Sequence, residues 1–166
     1  MGIIKDRFVA KATAANAEIK DLLKEHGNKK IGEVTLAQVY QGMRGITGLV
    51  TETSLLDSHE GIRFRGYSIP ELQEKLPKSA HGTEPLPEGL FYLMLLGELP
   101  TKEDVDHVSA VLQRRSHVPN HVFAAIDALP LHTHPMTMFV TGVMALQTES
   151  YFSKAYAEGI AKKDYW

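Results

Sequence analysis

Residues 42–69 read GMRGITGLVTETSLLDSHEGIRFRGYSI. Three glycines recur in this stretch at every third position: Gly42, Gly45 and Gly48. Two runs that follow have the residue types of short strands, Leu49–Thr51 and Gly61–Phe64, and the polar residues 57–60 separate them as a turn would. We therefore predict a small β hairpin near residues 49–64.

The chain on both sides of this hairpin has helical periodicity, because apolar residues recur three and four positions apart. Residues 31–34 form one further strand-like run. The fold class predicted is therefore mainly α, with one minor β element. The predicted helices cover residues 3–26, 35–40, 68–77, 88–96, 101–115, 119–129 and 135–148, and a last one begins at about Ser153.

Local signals mark several of these helix ends. The run Ser68-Ile69-Pro70-Glu71 predicts a capping box, in which the serine hydroxyl and the glutamate side chain each bond the other residue's backbone N–H. Gly97 is placed to end the helix that Pro87 opens. That helix is apolar all round after its first turn, which predicts that it lies buried.

Composition excludes several classes of protein. The chain has 166 residues, a net charge of −2 and no cysteine. The absence of cysteine excludes a disulfide framework, thiolate catalysis and cysteine zinc sites. The charge gives no general basic field for nucleic acid, and no apolar run is long enough to span a membrane. Asp6 and Glu18 argue against a transit peptide at residues 1–20.

Arg44 lies between two of the three glycines, and two interpretations of it stay open. Glycines allow backbone amides to approach an anion, and the arginine fork could then bind a phosphate. The alternative is a glycine-rich turn that carries a solvated arginine. The spacing does not match the dinucleotide-binding fingerprint.

Arg63 and Arg65 alternate with apolar residues, so on a strand both would point to one face. Two guanidinium groups on one face could hold a polyanion. The favoured interpretation is structural, with ion pairs to acidic neighbours such as Asp57 or Glu60.

The eight histidines do not suggest a metal centre. His132 and His134 precede a helix and have no third ligand at a suitable spacing. The favoured role of such a helix-entry histidine is to hydrogen-bond the backbone. No nucleophile, base and acid occur in a recognisable catalytic set.

The helix predicted at residues 135–149 has an unusually wide apolar surface. It is either a central core helix or a subunit interface, because a helix that is apolar all round must be covered on every side. Gly142 and Ala145 would permit a close helix crossing.

From about Ile19 to Trp166 the chain resembles citrate synthase, in its mitochondrial, eukaryotic-type branch. The resemblance implies that residues 1–166 are the N-terminal portion of the family's large domain, without its remainder and without the small domain. The matching stretches are GMRGITGLVTETSLLDSHEGIRFRGYSIPE, PLPEGLFYLMLLGELPT, HPM at 134–136, ESYFSKAYAEGI and the terminal YW.

The resemblance implies an acyltransferase of the tricarboxylic acid cycle, which condenses acetyl-CoA with oxaloacetate to citrate and CoA. It implies a homodimer in the mitochondrial matrix, joined through helices near 119–129 and 135–149, with no cofactor or metal. The family's catalytic histidines and aspartate have no counterpart in this chain, so the segment alone is expected to be inactive. His134 matches a non-catalytic family histidine, and His132 departs from the family's usual residue.

Two site residues follow from the resemblance. Arg44 and Lys162 match family positions that contact CoA phosphates, although the family usually has arginine at the second. Lysine keeps the charge there but loses the two-pronged fork. Two alternatives stay open: a non-catalytic helical dimerisation module, and a segment of a related 2-methylcitrate synthase.

Overall fold

The computed structural model describes residues 2–165, and of Ile3 and Lys163 it describes the backbone only. Trp166, the last residue of the predicted YW match, lies outside the described residues. The chain forms two compact units, Met1–Val111 (unit 1) and Leu112–Trp166 (unit 2). The mainly α prediction is confirmed, with one small antiparallel sheet.

Unit 1 carries the sheet and most of the helical length. Its elements are α1 (Gly2–His26), α2 (Leu36–Tyr40), β1 (Ser54–Asp57), β2 (Gly61–Phe64), β3 (Tyr67–Ser68), α3 (Ile69–Lys75), α4 (Pro87–Leu96) and α5 (Lys102–Arg114), whose last turn enters unit 2.

Unit 2 is helical throughout its regular structure. Its elements are α6 (Asn120–Asp127), α7 (Pro135–Ala145), a 3₁₀ turn (Leu146–Glu149), α8 (Tyr151–Ala157) and a second 3₁₀ turn (Lys162–Asp164). No helix in residues 2–165 is long and apolar enough to cross a membrane.

The sheet has the order β1-β2-β3, and the strand predicted at Gly61–Phe64 is confirmed as β2. The strand predicted at Leu49–Thr51 is wrong. The Asp57 carboxylate accepts the N–H groups of His59 (2.7 Å) and Glu60 (2.9 Å), which closes a short turn. Because Asp57 then pairs with Gly61 and Ser54 with Phe64, residues 49–51 lie beyond the end of β2.

The strand-like run at residues 31–34 is also wrong, since it is irregular and exposed and no described strand lies beside it. β-Branched residues favour a strand only where a neighbouring strand and a packing surface exist.

The core of unit 1 is built around α4, as predicted, but the helix is not buried on every side, since Phe91 is 48% exposed. Leu93 on one side of the helix packs with Leu72 and Leu76 of α3 and its C-cap. Tyr92 and Leu96 pack with Val108 of α5, and Ile4 and Phe8 of α1 cover this second cluster.

Polar contacts fix the first half of α1 against α4 and α5. Arg7 donates to the Tyr92 hydroxyl (2.5 Å) and to Asp104 (3.0 Å). Lys11 donates to the Leu96 carbonyl (2.6 Å), one of the last carbonyls of α4, which have no partner within the helix. Burial raises the pKa of Tyr92. The apolar residues in the second half of α1 do not join this core, because Ile19 and Leu22 are exposed.

The predicted capping box of α3 is confirmed. The Ser68 N–H donates to Glu71 (2.8 Å), and the Glu71 N–H donates to the Ser68 hydroxyl (3.4 Å). Hydrogen bonds from the Ser68 backbone and hydroxyl lower the pKa of Glu71. Gly97 ends α4 with a φ of 72°, a left-handed conformation that favours glycine.

Candidate functional site

Arg44 lies on a tight turn that follows α2. Gly42, Met43 and Gly45 have positive φ angles of 74°, 63° and 73°, so three of these four consecutive residues adopt a left-handed backbone conformation. The Met43 N–H donates to the Gln38 carbonyl (2.8 Å) and the Ile46 N–H to the Met43 carbonyl (3.2 Å), which holds the turn against α2. Left-handed φ values explain two of the three glycines in the repeat.

The Arg44 side chain is exposed, and it makes no hydrogen bond or ion pair with any residue of the described chain. Its guanidinium therefore has all its donors available. This arrangement is compatible with both interpretations of Arg44 drawn from the sequence, a phosphate contact and a solvated side chain.

Arg63 has the structural role that its acidic neighbours predicted. Its guanidinium bonds the Glu60 carboxylate at 3.1 Å and lies 3.7 Å from Glu71, and it also donates to the Gly66 carbonyl (3.0 Å). These contacts join β2 to its own hairpin turns and to the first turn of α3.

Arg65 is structural too, but the expectation that it shares a strand face with Arg63 is wrong. β2 ends at Phe64, and Arg65 and Gly66 form the two-residue loop between β2 and β3, with φ values of 47° and 88°. Positive φ at both central positions is the preferred geometry of such a loop, although arginine is unusual there.

The contacts of Arg65 offset this unfavourable φ. Its Nε and Nη2 donate to the Met94 carbonyl at 3.1 and 2.7 Å, near the end of α4, and its Nη1 lies 3.5 Å from Glu52. A cation at a helix C-terminus interacts favourably with the helix dipole. Asp57, the other predicted partner, instead bonds the backbone of its own turn. Those hydrogen bonds, from Glu60 and then His59, lower its pKa.

Lys162 begins the second 3₁₀ turn of unit 2 and is exposed. It forms no ion pair with a described residue. Arg44 belongs to unit 1 and Lys162 to unit 2. The assignment of both residues to CoA phosphates stays a prediction.

Two of the histidines of unit 2 bond backbone groups. The His134 Nδ1 accepts the Met136 N–H (3.1 Å) and caps α7, as predicted for a helix-entry histidine. The His121 Nε2 lies 3.1 Å from the Ala145 carbonyl and joins α6 to the end of α7, a contact that the sequence did not indicate. Residues 2–165 contain no group of His, Cys, Asp or Glu that could hold a metal ion.

α7 is neither fully buried nor covered by α6. A Cβ at Gly142 would lie 3.0 Å from Ile126, so this glycine permits the close crossing that was predicted, within the chain itself. The apolar side chains on the rest of α7 are exposed, including Phe139 (63%) and Met144 (67%). α7 is therefore not a fully buried core helix within this chain, and its exposed apolar face is available to a partner.

A cleft of about 680 Å³ in unit 2 was not indicated by the sequence. Its polar lining includes Arg115, His117, Glu149 and Tyr151, which come from the segment after α5 and from the segment around the first 3₁₀ turn. No local motif links these segments, so only the fold could bring them together.

Comparison with known proteins decides the family. Residues 42–166, which include the whole hairpin stretch and unit 2, match the family model described as "Citrate synthase, C-terminal domain". The chain belongs to the citrate synthase family. The resemblance expected from the sequence is thus confirmed, whereas the expected placement at the N-terminal end of the family's large domain stays a prediction.

Named relatives agree with this assignment. The chain is 55% identical over 163 residues to the mitochondrial citrate synthase of Saccharomyces cerevisiae, covering 98% of the chain and 34% of the relative. It is 60% identical over 148 residues to the mitochondrial citrate synthase of Daucus carota, covering 89% and 31%. The peroxisomal citrate synthase of Saccharomyces cerevisiae is 49% identical over 163 residues, covering 98% and 35%.

This citrate synthase family chain spans about a third of the length of the curated relatives that it matches. Its described residues supply an exposed arginine on a glycine turn, an exposed lysine and an uncovered apolar helix face. They do not supply a nucleophile, base and acid arranged as a catalytic set.

Proposed function

We propose that this chain is the N-terminal portion of the large domain of a citrate synthase. The whole protein condenses acetyl-CoA with oxaloacetate to citrate and CoA, and works in the tricarboxylic acid cycle of the mitochondrial matrix. The match of residues 42–166 to the family model carries the assignment to citrate synthase. The identity of 55% and 60% to two mitochondrial relatives supports it further.

In this reaction the methyl group of acetyl-CoA loses a proton, and the resulting carbanion equivalent forms a carbon–carbon bond with the oxaloacetate carbonyl. Water then cleaves the thioester and releases CoA. A general base must remove the first proton. Under this proposal, a histidine and an aspartate from the remainder of the protein do this, and a second histidine polarises the carbonyl.

The part of this chain in the reaction is to hold the CoA phosphates. The free guanidinium of Arg44 stands on a turn that is fixed to α2, and a bidentate arginine is well suited to phosphate oxygens. Lys162 adds a compact positive charge without the directional fork. Arg63 and Arg65 remain in their structural contacts.

Arg44→Ala tests this assignment in a chimera, in which this chain replaces the 163-residue stretch that it matches in the mitochondrial relative of Saccharomyces cerevisiae. We expect the KM for acetyl-CoA to rise roughly tenfold to hundredfold, because a hydrogen bond to a charged group contributes about 1.5–3 kcal/mol. The KM for oxaloacetate should stay near its original value. Steady-state kinetics with each substrate varied in turn measures both.

Arg114→Ala is the matched control, since it removes an exposed arginine at the end of α5. It should leave both KM values unchanged. An equal loss for both substrates in the Arg44→Ala chimera would mean that Arg44 supports the fold rather than acetyl-CoA.

The exposed apolar face of α7 supports a homodimer that packs through α6 and α7. We expect Phe139→Glu to weaken self-association of the chain at least tenfold, because it puts a charge on the proposed interface and the loss of a hot-spot residue costs about 2 kcal/mol or more. Sedimentation at several concentrations measures this. Phe91→Glu, at an exposed phenylalanine of α4, is the control and should not change it. A wild-type chain that stays monomeric at every concentration would exclude this interface in the isolated chain.

A further inference from the structure

Gln38 has an amide side chain whose orientation is fixed by the cap of α2. Its Oε1 accepts the Thr35 N–H (3.0 Å) and lies 3.2 Å from the Thr35 hydroxyl. A backbone N–H can only donate, so the atom that faces it must be the carbonyl oxygen and not the nitrogen. The direction of Nε2 follows, because both atoms are bonded to the same planar carbon.

The Gln38 Nε2 faces the turn that carries Arg44. A Cβ built on Gly45 would lie 3.9 Å from this nitrogen, so Gly45 leaves the space beside it open. The Gln38 carbonyl also accepts the Met43 N–H at 2.8 Å. The Gln38 backbone therefore bonds the turn, and the Gln38 side chain lies beside it. Its Nε2 donates no hydrogen bond to a residue of the described chain.

The turn also leaves two backbone donors without partners in the described part of the chain. The N–H groups of Gly42, Met43 and Ile46 are bonded, whereas those of Arg44 and Gly45 are not. Turns that expose successive N–H groups form concave anion sites. The Arg44 guanidinium, these two N–H groups and the Gln38 amide are thus donors without an internal acceptor, gathered in one short segment.

The charge of this segment favours an anion as the missing acceptor. Residues 34–51 contain no aspartate or glutamate, and Arg44 is their only charged residue. Arg63 of β2, by contrast, lies close to the carboxylates of Glu60 and Glu71. The Arg44 turn has none in its own segment.

We propose that Gln38 is a second ligand-binding residue of the Arg44 turn, donating from its Nε2 to a phosphate oxygen of the ligand that Arg44 binds. The ligand class is a phosphorylated nucleotide such as CoA. The inference rests on the proposed function, because it takes the Arg44 contact as given and adds a neutral donor beside the charged one.

Gln38→Glu separates this role from helix capping. A glutamate at this position keeps the acceptor oxygen for the Thr35 N–H, as in the usual capping box. It also replaces the donor nitrogen with a negatively charged oxygen. We expect the dissociation constant of the chain for CoA to rise at least about tenfold. Calorimetric titration measures this, and the backbone amide NMR signals of α2 should stay in place.

Gln41→Glu is the control for charge alone, because it makes the same change at the exposed C-cap of α2. It should raise the dissociation constant less than threefold. An equal rise in Gln38→Glu and Gln41→Glu would overturn the proposal, since general repulsion would then explain both.

The remaining outcomes distinguish this proposal from the one on which it rests. If CoA shifts the Arg44 and Gly45 amide signals and Arg44→Ala weakens binding, but Gln38→Glu binds like the wild type, Gln38 is a capping residue only and the role of Arg44 stands. If CoA shifts neither amide signal and Arg44→Ala changes nothing, both proposals fail.

Discussion

Leu93→Ala is expected to lower the free energy of unfolding by about 3 kcal/mol, which is within the usual range for a buried leucine. The Leu93 side chain is 0% exposed, at the centre of α4, and it packs against Leu72 and Leu76. This cluster is small, so few neighbours can move to fill the space that the substitution leaves. Urea unfolding followed by circular dichroism measures the change.

Leu56→Ala is the matched control, because the same atoms are removed from a side chain that is 75% exposed in β1. We expect this variant to change stability by no more than about 0.5 kcal/mol, as is usual for surface substitutions. Similar losses in the two variants would mean that α4 is not the centre of the core of unit 1.

The isolated chain is expected to release no CoA from acetyl-CoA and oxaloacetate above the uncatalysed rate. Enolisation needs a positioned base, and the best-defined histidine contacts in unit 2 are with backbone groups. His26 lies 3.9 Å from Glu25, but both are exposed at the end of α1. A thiol reagent that reports free CoA follows the reaction.

The chimera with the Saccharomyces cerevisiae relative is the positive control, and we expect it to turn over both substrates. The comparison isolates what the remainder of the protein adds, because the 166 residues are the same in both samples. Clear turnover by the isolated chain would overturn the proposal that the catalytic residues lie in the remainder of the protein. An inactive but folded chimera would favour the alternative of a helical association module.

Signals within a few residues predicted much of the helical structure. The Ser68 and Glu71 capping box and the Gly97 stop depend on atoms three or four residues apart, so the sequence carries them locally. The first strand was misplaced because its register depends on the hydrogen bonds of Asp57 to its own turn. Runs of β-branched residues do not contain that information.

Contacts between distant residues could not be predicted in the same way. Arg65 bonds a carbonyl 29 residues away, and it does so from a backbone conformation that is rare for arginine. The Gln38 side chain lies beside the Arg44 turn, in which Met43, although not a glycine, adopts a positive φ. The family resemblance predicted a ligand contact for Arg44, whereas the position of the Gln38 amide beside the turn comes only from the structure.

The hydrogen bonds from Arg65 to the Met94 carbonyl couple the stability of the small sheet to that of α4. If the β2–β3 loop separated from α4, the Met94 carbonyl would lose its charged partner. Arg65 would then keep an unfavourable φ with no contact to offset it. Local openings in proteins tend to involve contiguous cooperative groups of this kind. Amide protons of β2 and of the last turn of α4 should therefore exchange with solvent through one shared opening, although the two segments are far apart in the chain.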